Sequence, residues 1–127
     1  MSRLEALQAS LNSLLANQGV VAAVLATNEG DVVAVSPTST DPWEAEATAE
    51  WASGQIERMA GLRDQVGESE FAVLFDPKDS PVRAHCHLQS MRGHVLLVFF
   101  DNRDFFGRIR LACREATPHL ERCLLES

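Results

Sequence analysis

Two apolar runs constrain this chain more than any other feature of its sequence. They are Val20–Thr27 (VVAAVLAT) and His94–Phe100 (HVLLVFF). Because apolar residues occupy consecutive positions, neither run offers a polar face to water, which is typical of strands covered on both faces. Neither run approaches the roughly 18 apolar residues of a transmembrane helix. The sequence therefore predicts interior strands, with the more apolar His94–Phe100 at the centre of the sheet.

Three further strands are predicted around these two runs. The turn signal Asn28-Glu29-Gly30 is followed by Asp31–Val35 (DVVAV), so the first run and this segment form a hairpin. Phe71–Phe75 (FAVLF) is a third strand, and Val82–Gln89 alternates as a fourth. With His94–Phe100 they are expected to form an antiparallel meander.

The two ends of the chain are predicted to be helical. Ser2 and Glu5 have the spacing of a capping box, in which each side chain satisfies a free N–H group. An apolar stripe with helical spacing follows, formed by Leu4, Leu7, Leu11, Leu14 and Leu15. The last helix is expected to be capped by Asp104, and Pro118 predicts a kink or a break after Ala116.

A long middle helix has a strong predicted start. Asp41 caps it, Pro42 takes its first position and Glu44 lies in its first turn. The helical pattern runs to about Met59 or Leu62. The predicted element order is thus α-β-β-α-β-β-β-α.

The middle helix has more apolar faces than a surface helix needs. Trp43, Ala47 and Trp51 share one face, and Gly54 favours the close approach of another backbone. We interpret these residues as a surface for a partner subunit. The alternative is that both tryptophans simply pack on the sheet.

Charge limits the classes of partner. The formal net charge is −7 and the sequence pI is about 5.0. Nucleic acids and anionic lipids need a basic face, so neither is expected as a partner. Residues 1–70 carry a net charge of about −8 and residues 71–127 about +1. This division favours electrostatic guidance of a protein partner. The alternative is a solvated acidic face that serves solubility.

The cysteines and the first residues indicate a compartment. Cys86, Cys113 and Cys123 are odd in number and lack zinc-ligand spacing. The opening MSRLEALQAS has no apolar segment of a signal peptide. Free thiols without an export signal predict a cytoplasmic protein.

The sequence contains one weak candidate for catalytic chemistry, His85-Cys86-His87. Two histidines at i and i+2 on a strand share a face, and His94 is the nearest further ligand, whereas a metal site needs three or four. A solvated strand face is the preferred interpretation of the histidines. The phosphate-loop, dinucleotide, nucleophile-elbow and metalloprotease motifs are all missing. We therefore expect no enzyme, no cofactor and no metal.

Three stretches, together with the element order, resemble one protein family. They are Leu11–Val35 (LNSLLANQGVVAAVLATNEGDVVAV), Gly93–Asp101 and Gly107–Arg110. Their patterns are similar to the opening helix and hairpin, the central strand and the last helix start of the Roadblock/LC7 family. The resemblance covers nearly the whole chain, so residues 1–127 are expected to be one domain of this kind.

The resemblance implies an α+β fold and a dimer. Its members have a single five-stranded antiparallel sheet, with one long helix on one face and the terminal helices on the other. They pair through the middle helix and the third strand. Carried onto this chain, the implied homodimer interface contains Trp43, Ala47, Trp51, Gly54, Phe71 and Val73.

The resemblance also implies a function. Prokaryotic members of the MglB type bind a small Ras-like GTPase and promote its GTP hydrolysis by positioning the GTPase's own residues. The acidic middle helix would form the contact, with Glu46, Glu50, Glu57 and Arg58 as candidate residues. The alternative is a structural adaptor without effect on nucleotide turnover. A small-ligand sensor is a weaker interpretation, since His94–Phe100 is expected to fill the centre.

Overall fold

The helices and strands follow the predicted order. The structure, a computed structural model, describes residues 2–66 and 72–125, and the side chains of these except 60–66. The elements are α1 (Arg3–Leu15), β1 (Val20–Thr27), β2 (Val32–Ser36), α2 (Pro42–Val66), β3 (Ala72–Phe75), β4 (His85–Ser90), β5 (His94–Phe100) and α3 (Phe106–Leu125). Short 3₁₀ turns lie at Pro77–Asp79 and Arg103–Phe105.

The five strands form one antiparallel sheet in the order β2-β1-β5-β4-β3. The two apolar runs therefore pair with each other, with Val24 opposite Leu97, and β5 is central as predicted. β3, β4 and β5 form the predicted meander.

Alternation along the two inner strands divides the core into two layers. Leu25 and Val98 point into a cluster with α1 and α3, whereas Val24 and Leu97 point into a cluster with α2. All four side chains are buried, because helices cover both faces of the sheet. The predicted α+β architecture is confirmed: the long helix lies on one face and the terminal helices lie on the other.

The Ser2 half of the predicted capping box and the predicted Asp41 cap are both present. The N–H of Glu5 donates to the Ser2 side chain at 3.1 Å. The N–H of Trp43 donates to the Asp41 carboxylate at 2.9 Å. α2 continues to Val66, beyond the predicted end, because the sequence contains no proline there to interrupt its backbone hydrogen bonds.

The start of the last helix differs from the prediction. Asn102, not Asp104, supplies the cap: its side chain accepts the N–H of Asp104 at 2.9 Å, at the start of the 3₁₀ turn that leads into α3.

Pro118 was expected to kink or break the last helix, and the helix passes through it unbroken. Proline removes only the hydrogen bond to the carbonyl of Arg114, and both residues are exposed, so water can take that bond. One residue earlier, Thr117 donates its hydroxyl to the carbonyl of Cys113 at 2.8 Å.

β4 begins later than predicted. β4 begins at His85 because Arg83 has a φ of +56°, which is incompatible with a strand. β3 covers Ala72–Phe75, and the predicted first residue, Phe71, lies outside the described residues.

Candidate interaction surface

The inward side of α2 consists of small residues that bring the helix close to the sheet. Ala45, Ala49 and Ala52 are buried, and Ile56 extends this side by one turn. They pack with Val24, Ala26, Val95, Leu97 and Phe99. A narrow alanine-rich contact leaves most of the circumference of α2 free for other partners.

The tip of the β1–β2 hairpin holds the middle of α2. Ser53 donates its hydroxyl to the carbonyl of Asn28 at 2.8 Å. Gly30 has a φ of +98°, and a β-carbon there would lie 3.5 Å from the Cα of Glu50. Sequence reasoning treated Gly30 as a turn residue only, since its contact with α2 has no local sequence signal.

The outward side of α2 bears an exposed tryptophan. Trp43 is 80% exposed, so it does not pack on the sheet as the alternative interpretation required. Ala47, one turn further, is also exposed. Trp51 is half-buried and meets the ring of Phe75 edge-on, with ring centroids 4.8 Å apart.

This contact places the tryptophan stripe beside β3, the last strand of the sheet. Val73 on β3 is half-buried. Gly54 has no atom within 4 Å of where a β-carbon would stand, so the close backbone that it favours is not found within the described chain. The structure thus brings Trp43, Ala47, Trp51 and Val73 to one side of the molecule, and Phe71 lies outside the described residues.

The same helix presents an acidic surface. Glu46, Glu50, Glu57 and Arg58 are all exposed, and five acidic residues from Asp41 onward precede Arg58 in the sequence. An aromatic stripe next to exposed carboxylates can bind a protein surface by apolar burial while its charges guide approach. We call the exposed side of α2 together with β3 the α2 face.

The histidines of β4 lie on the opposite face of the sheet, and the prediction of a solvated strand face is wrong for His87. This side chain is only 1% exposed because α3 covers the strand, with Phe106 in tilted contact at 6.1 Å between ring centroids. Burial lowers the pKa of His87, and the positive charge of Arg110 lowers it further. The 3.4 Å contact with the Gln89 side chain acts in the opposite direction but is weaker than burial. His87 is therefore held neutral, and its Nδ1 atom has no hydrogen-bond partner.

The positions of these histidines do not support the weaker alternative, a shared metal site. His85 stacks on Phe100, with ring centroids 5.3 Å apart. His94 is four residues along β5 from Val98, the residue paired with His87, a separation of about 13 Å. Within residues 2–66 and 72–125, no group of three or more His, Cys, Asp or Glu side chains is placed to hold a metal ion.

The three cysteines are buried and free. Burial raises the pKa of Cys86 far above its ordinary value and that of Cys113 to about 12. Thiols held in the protonated form are poor nucleophiles, so Cys86 and Cys113 act as core residues.

Comparison with known proteins gives structural matches. Neither a family model nor a curated protein matches the sequence. Among solved structures, the gliding protein MglB from Thermus thermophilus superposes with a TM-score of 0.83 at 20% identity, covering 100% of this chain and 94% of that one. An MglB solved in a tetrameric arrangement has a TM-score of 0.80 at 19% identity, covering 97% and 90%. A Roadblock/LC7 domain from Streptomyces avermitilis has a TM-score of 0.60 at 22% identity, covering 90% and 97%.

The chain has the Roadblock/LC7 fold. The resemblance predicted from sequence is thereby confirmed at the level of the fold, and the MglB structures match the chain over nearly its whole length. In the part of the chain that the structure describes, no helix is both long enough and apolar enough to cross a bilayer.

Proposed function

We propose that this protein is a non-catalytic homodimeric regulator that binds a small Ras-like GTPase and modulates its GTP hydrolysis. The observation that carries the proposal is the α2 face, where Trp43 is exposed beside acidic residues and next to an edge strand. Trp43, Ala47 and Trp51 together form an apolar patch rimmed by polar residues, and such patches are typical of interaction sites. The fold shared with the MglB structures supports the choice of partner.

Self-association is the first part of the proposal. Apolar burial at Trp43, Ala47 and Trp51 would drive pairing, and Gly54 would allow the backbone of the partner subunit to come close. Pairing would also cover β3, which as a bare apolar edge would invite aggregation. The tetrameric arrangement of one MglB supports association on this fold.

GTPase binding is the second part. In a dimer, two α2 helices side by side would form an acidic platform, with Glu46, Glu50, Glu57 and Arg58 as contacts. Such a platform steers a basic surface and raises its association rate. The regulator would act by positioning the GTPase's own residues, and we assign no catalytic side chain to this chain.

The test begins with this protein as bait in a lysate of its native cell. One portion of the lysate is supplemented with a non-hydrolysable GTP analogue and a parallel portion with GDP. A small GTPase captured only with the GTP analogue is then purified, and its single-turnover GTP hydrolysis is measured with and without this protein. Acceleration supports the regulator. Binding without any change in turnover favours the alternative, a structural adaptor in a polarity, motility or signalling complex.

Charge reversal locates the contact. The double variant Glu50→Lys and Glu57→Lys should slow association with that GTPase by about tenfold at low ionic strength and flatten its salt dependence. The double variant Asp104→Lys and Glu115→Lys is the matched control, because both residues are exposed at or just before α3, across the sheet, and the net charge changes by the same amount. Equal rates for the α2 double variant and this control would contradict the acidic platform.

A further inference from the structure

An open cleft lies where the first turns of α2 pass over the sheet near the start of β1. Its volume is about 390 Å³, within the usual range of ligand sites. The floor is apolar and comes from β1, β5 and the segment before β4: Ala22, Val24, Val82, Ala84 and Phe99. The cleft is thus a part of the apolar sheet surface that α2 leaves uncovered.

The rim of the cleft is acidic. Asp41 and Glu44 line it together with hydroxyl groups of the β2–α2 loop, and no lysine, arginine or histidine is among the described lining residues. Asp41 already caps α2 through its 2.9 Å bond to the N–H of Trp43. The carboxylate of Glu44 is exposed and lies beside the apolar floor.

We propose that this cleft is a docking site for a segment of a partner protein that inserts an arginine or lysine side chain. Charge complementarity selects this occupant: the methylene stem would cover the apolar floor, and the cationic head would meet Glu44 at the rim. Val21, which lines the cleft and is 47% exposed, offers a place for an apolar neighbour in the same segment. The site stands independently of the GTPase proposal, since it depends on the cleft and not on the dimer stripe.

The cleft is assembled from distant parts of the chain. Its lining runs from Val21 to Phe99, through both the β2–α2 loop and the segment before β4. No contiguous motif marks it, so sequence reasoning did not find it.

The test uses two short peptides and amide NMR spectra of the full chain labelled with ¹⁵N. The first is acetyl-Leu-Arg-amide, and the second replaces arginine by citrulline, which has nearly the same shape without the charge. The arginine peptide should give saturable shifts confined to amides around Ala22, Ala84 and Glu44. The citrulline peptide should bind roughly 2- to 5-fold more weakly, as loss of one exposed ion pair predicts.

Matched variants separate charge from shape. Glu44→Gln should weaken the arginine peptide by the same roughly 2- to 5-fold. Glu115→Gln, the same change at an exposed residue of α3 that does not line the cleft, should leave its affinity unchanged. Ala84→Leu fills the floor and should weaken binding by about tenfold or more, while the spectrum elsewhere stays that of the folded protein.

Four outcomes would overturn the proposal. They are equal affinity for both peptides, equal effects of Glu44→Gln and Glu115→Gln, and equal binding of free methylguanidine, which would indicate a small-cation site. The fourth is a shift of the cleft amides on dilution of the Trp51→Glu variant, in which the proposed dimer is broken, since this would indicate a second copy of this chain in the cleft.

Discussion

Mild acid should destabilise this protein through His87. The side chain is buried beneath α3, and its pKa is lowered chiefly by burial, so the folded state keeps the imidazole neutral. The unfolded chain takes up a proton near the ordinary pKa of about 6.5. Because the unfolded state binds more protons, the free energy of unfolding falls as the pH drops below that value and toward the lower pKa of the folded state.

The size of the effect has a ceiling. One proton bound only by the unfolded chain lowers the free energy of unfolding by at most about 1.4 kcal/mol per pH unit. The charged and titratable groups nearest His87 are Arg110 on α3, which disfavours the charged imidazole, and His85 on the same strand. The neighbouring strands contribute the apolar residues Leu74 and Val98.

His87→Leu isolates this contribution. Leucine has a similar volume and cannot titrate, so the variant should lose less stability than the wild type between about pH 6.5 and 5.5, by up to about 1 kcal/mol. At about pH 7.5 it should be at least as stable, because burying the unpartnered Nδ1 atom costs about 1–3 kcal/mol.

The assay is urea unfolding followed by tryptophan fluorescence, at one fixed protein concentration because self-association would add stability. His119→Leu is the control for replacing a histidine by leucine, since His119 is exposed on α3 and not buried. If His87→Leu and the wild type lose equal stability over this pH range, the argument from burial is refuted.

Two further predictions concern packing and pairing. Gly19→Ala should lower the free energy of unfolding by about 2–5 kcal/mol in urea titration, because Gly19 has a φ of +88° and a β-carbon there would collide with the ring of Phe105. Gly107→Ala, which meets nothing within 4 Å, should not destabilise, and equal losses for both variants would contradict this account. Trp51→Glu and Trp43→Glu should each give a monomer by light scattering, because an unpaired carboxylate buried at an interface costs several kcal/mol. Trp43 is exposed in the single chain, so Trp43→Glu should leave the monomer itself as stable as the wild-type monomer. A Trp43→Glu protein that is still a dimer would refute the interface.

The fold was largely predictable because its strongest signals are local. Two runs without polar positions, Val20–Thr27 and His94–Phe100, require cover on both faces, and the structure pairs them at the middle of the sheet. The caps at Ser2 and Asp41 were predictable for the same reason, since a cap needs only its own helix.

Errors arose where a distant element changes the environment of a residue. The alternation of β4 correctly placed His85 and His87 on one face, but only the packing of α3 decides whether that face meets water. Pro118 was expected to kink or break α3. The helix is not broken, because one missing N–H group is tolerated where the freed carbonyl is exposed.

The candidate site likewise has features that the sequence predicts and features that depend on the tertiary structure. Helical spacing alone places Trp43, Ala47 and Trp51 on one face of α2 and supplies its acidic charge. Only the tertiary structure decides that Trp43 stays exposed while Trp51 packs on Phe75, and only it forms the cleft beside Glu44. The physical reason is sequence separation. Helix caps and side-chain periodicity depend on residues that are neighbours in the sequence, whereas the exposure of a side chain depends on contacts between segments that are far apart in the sequence.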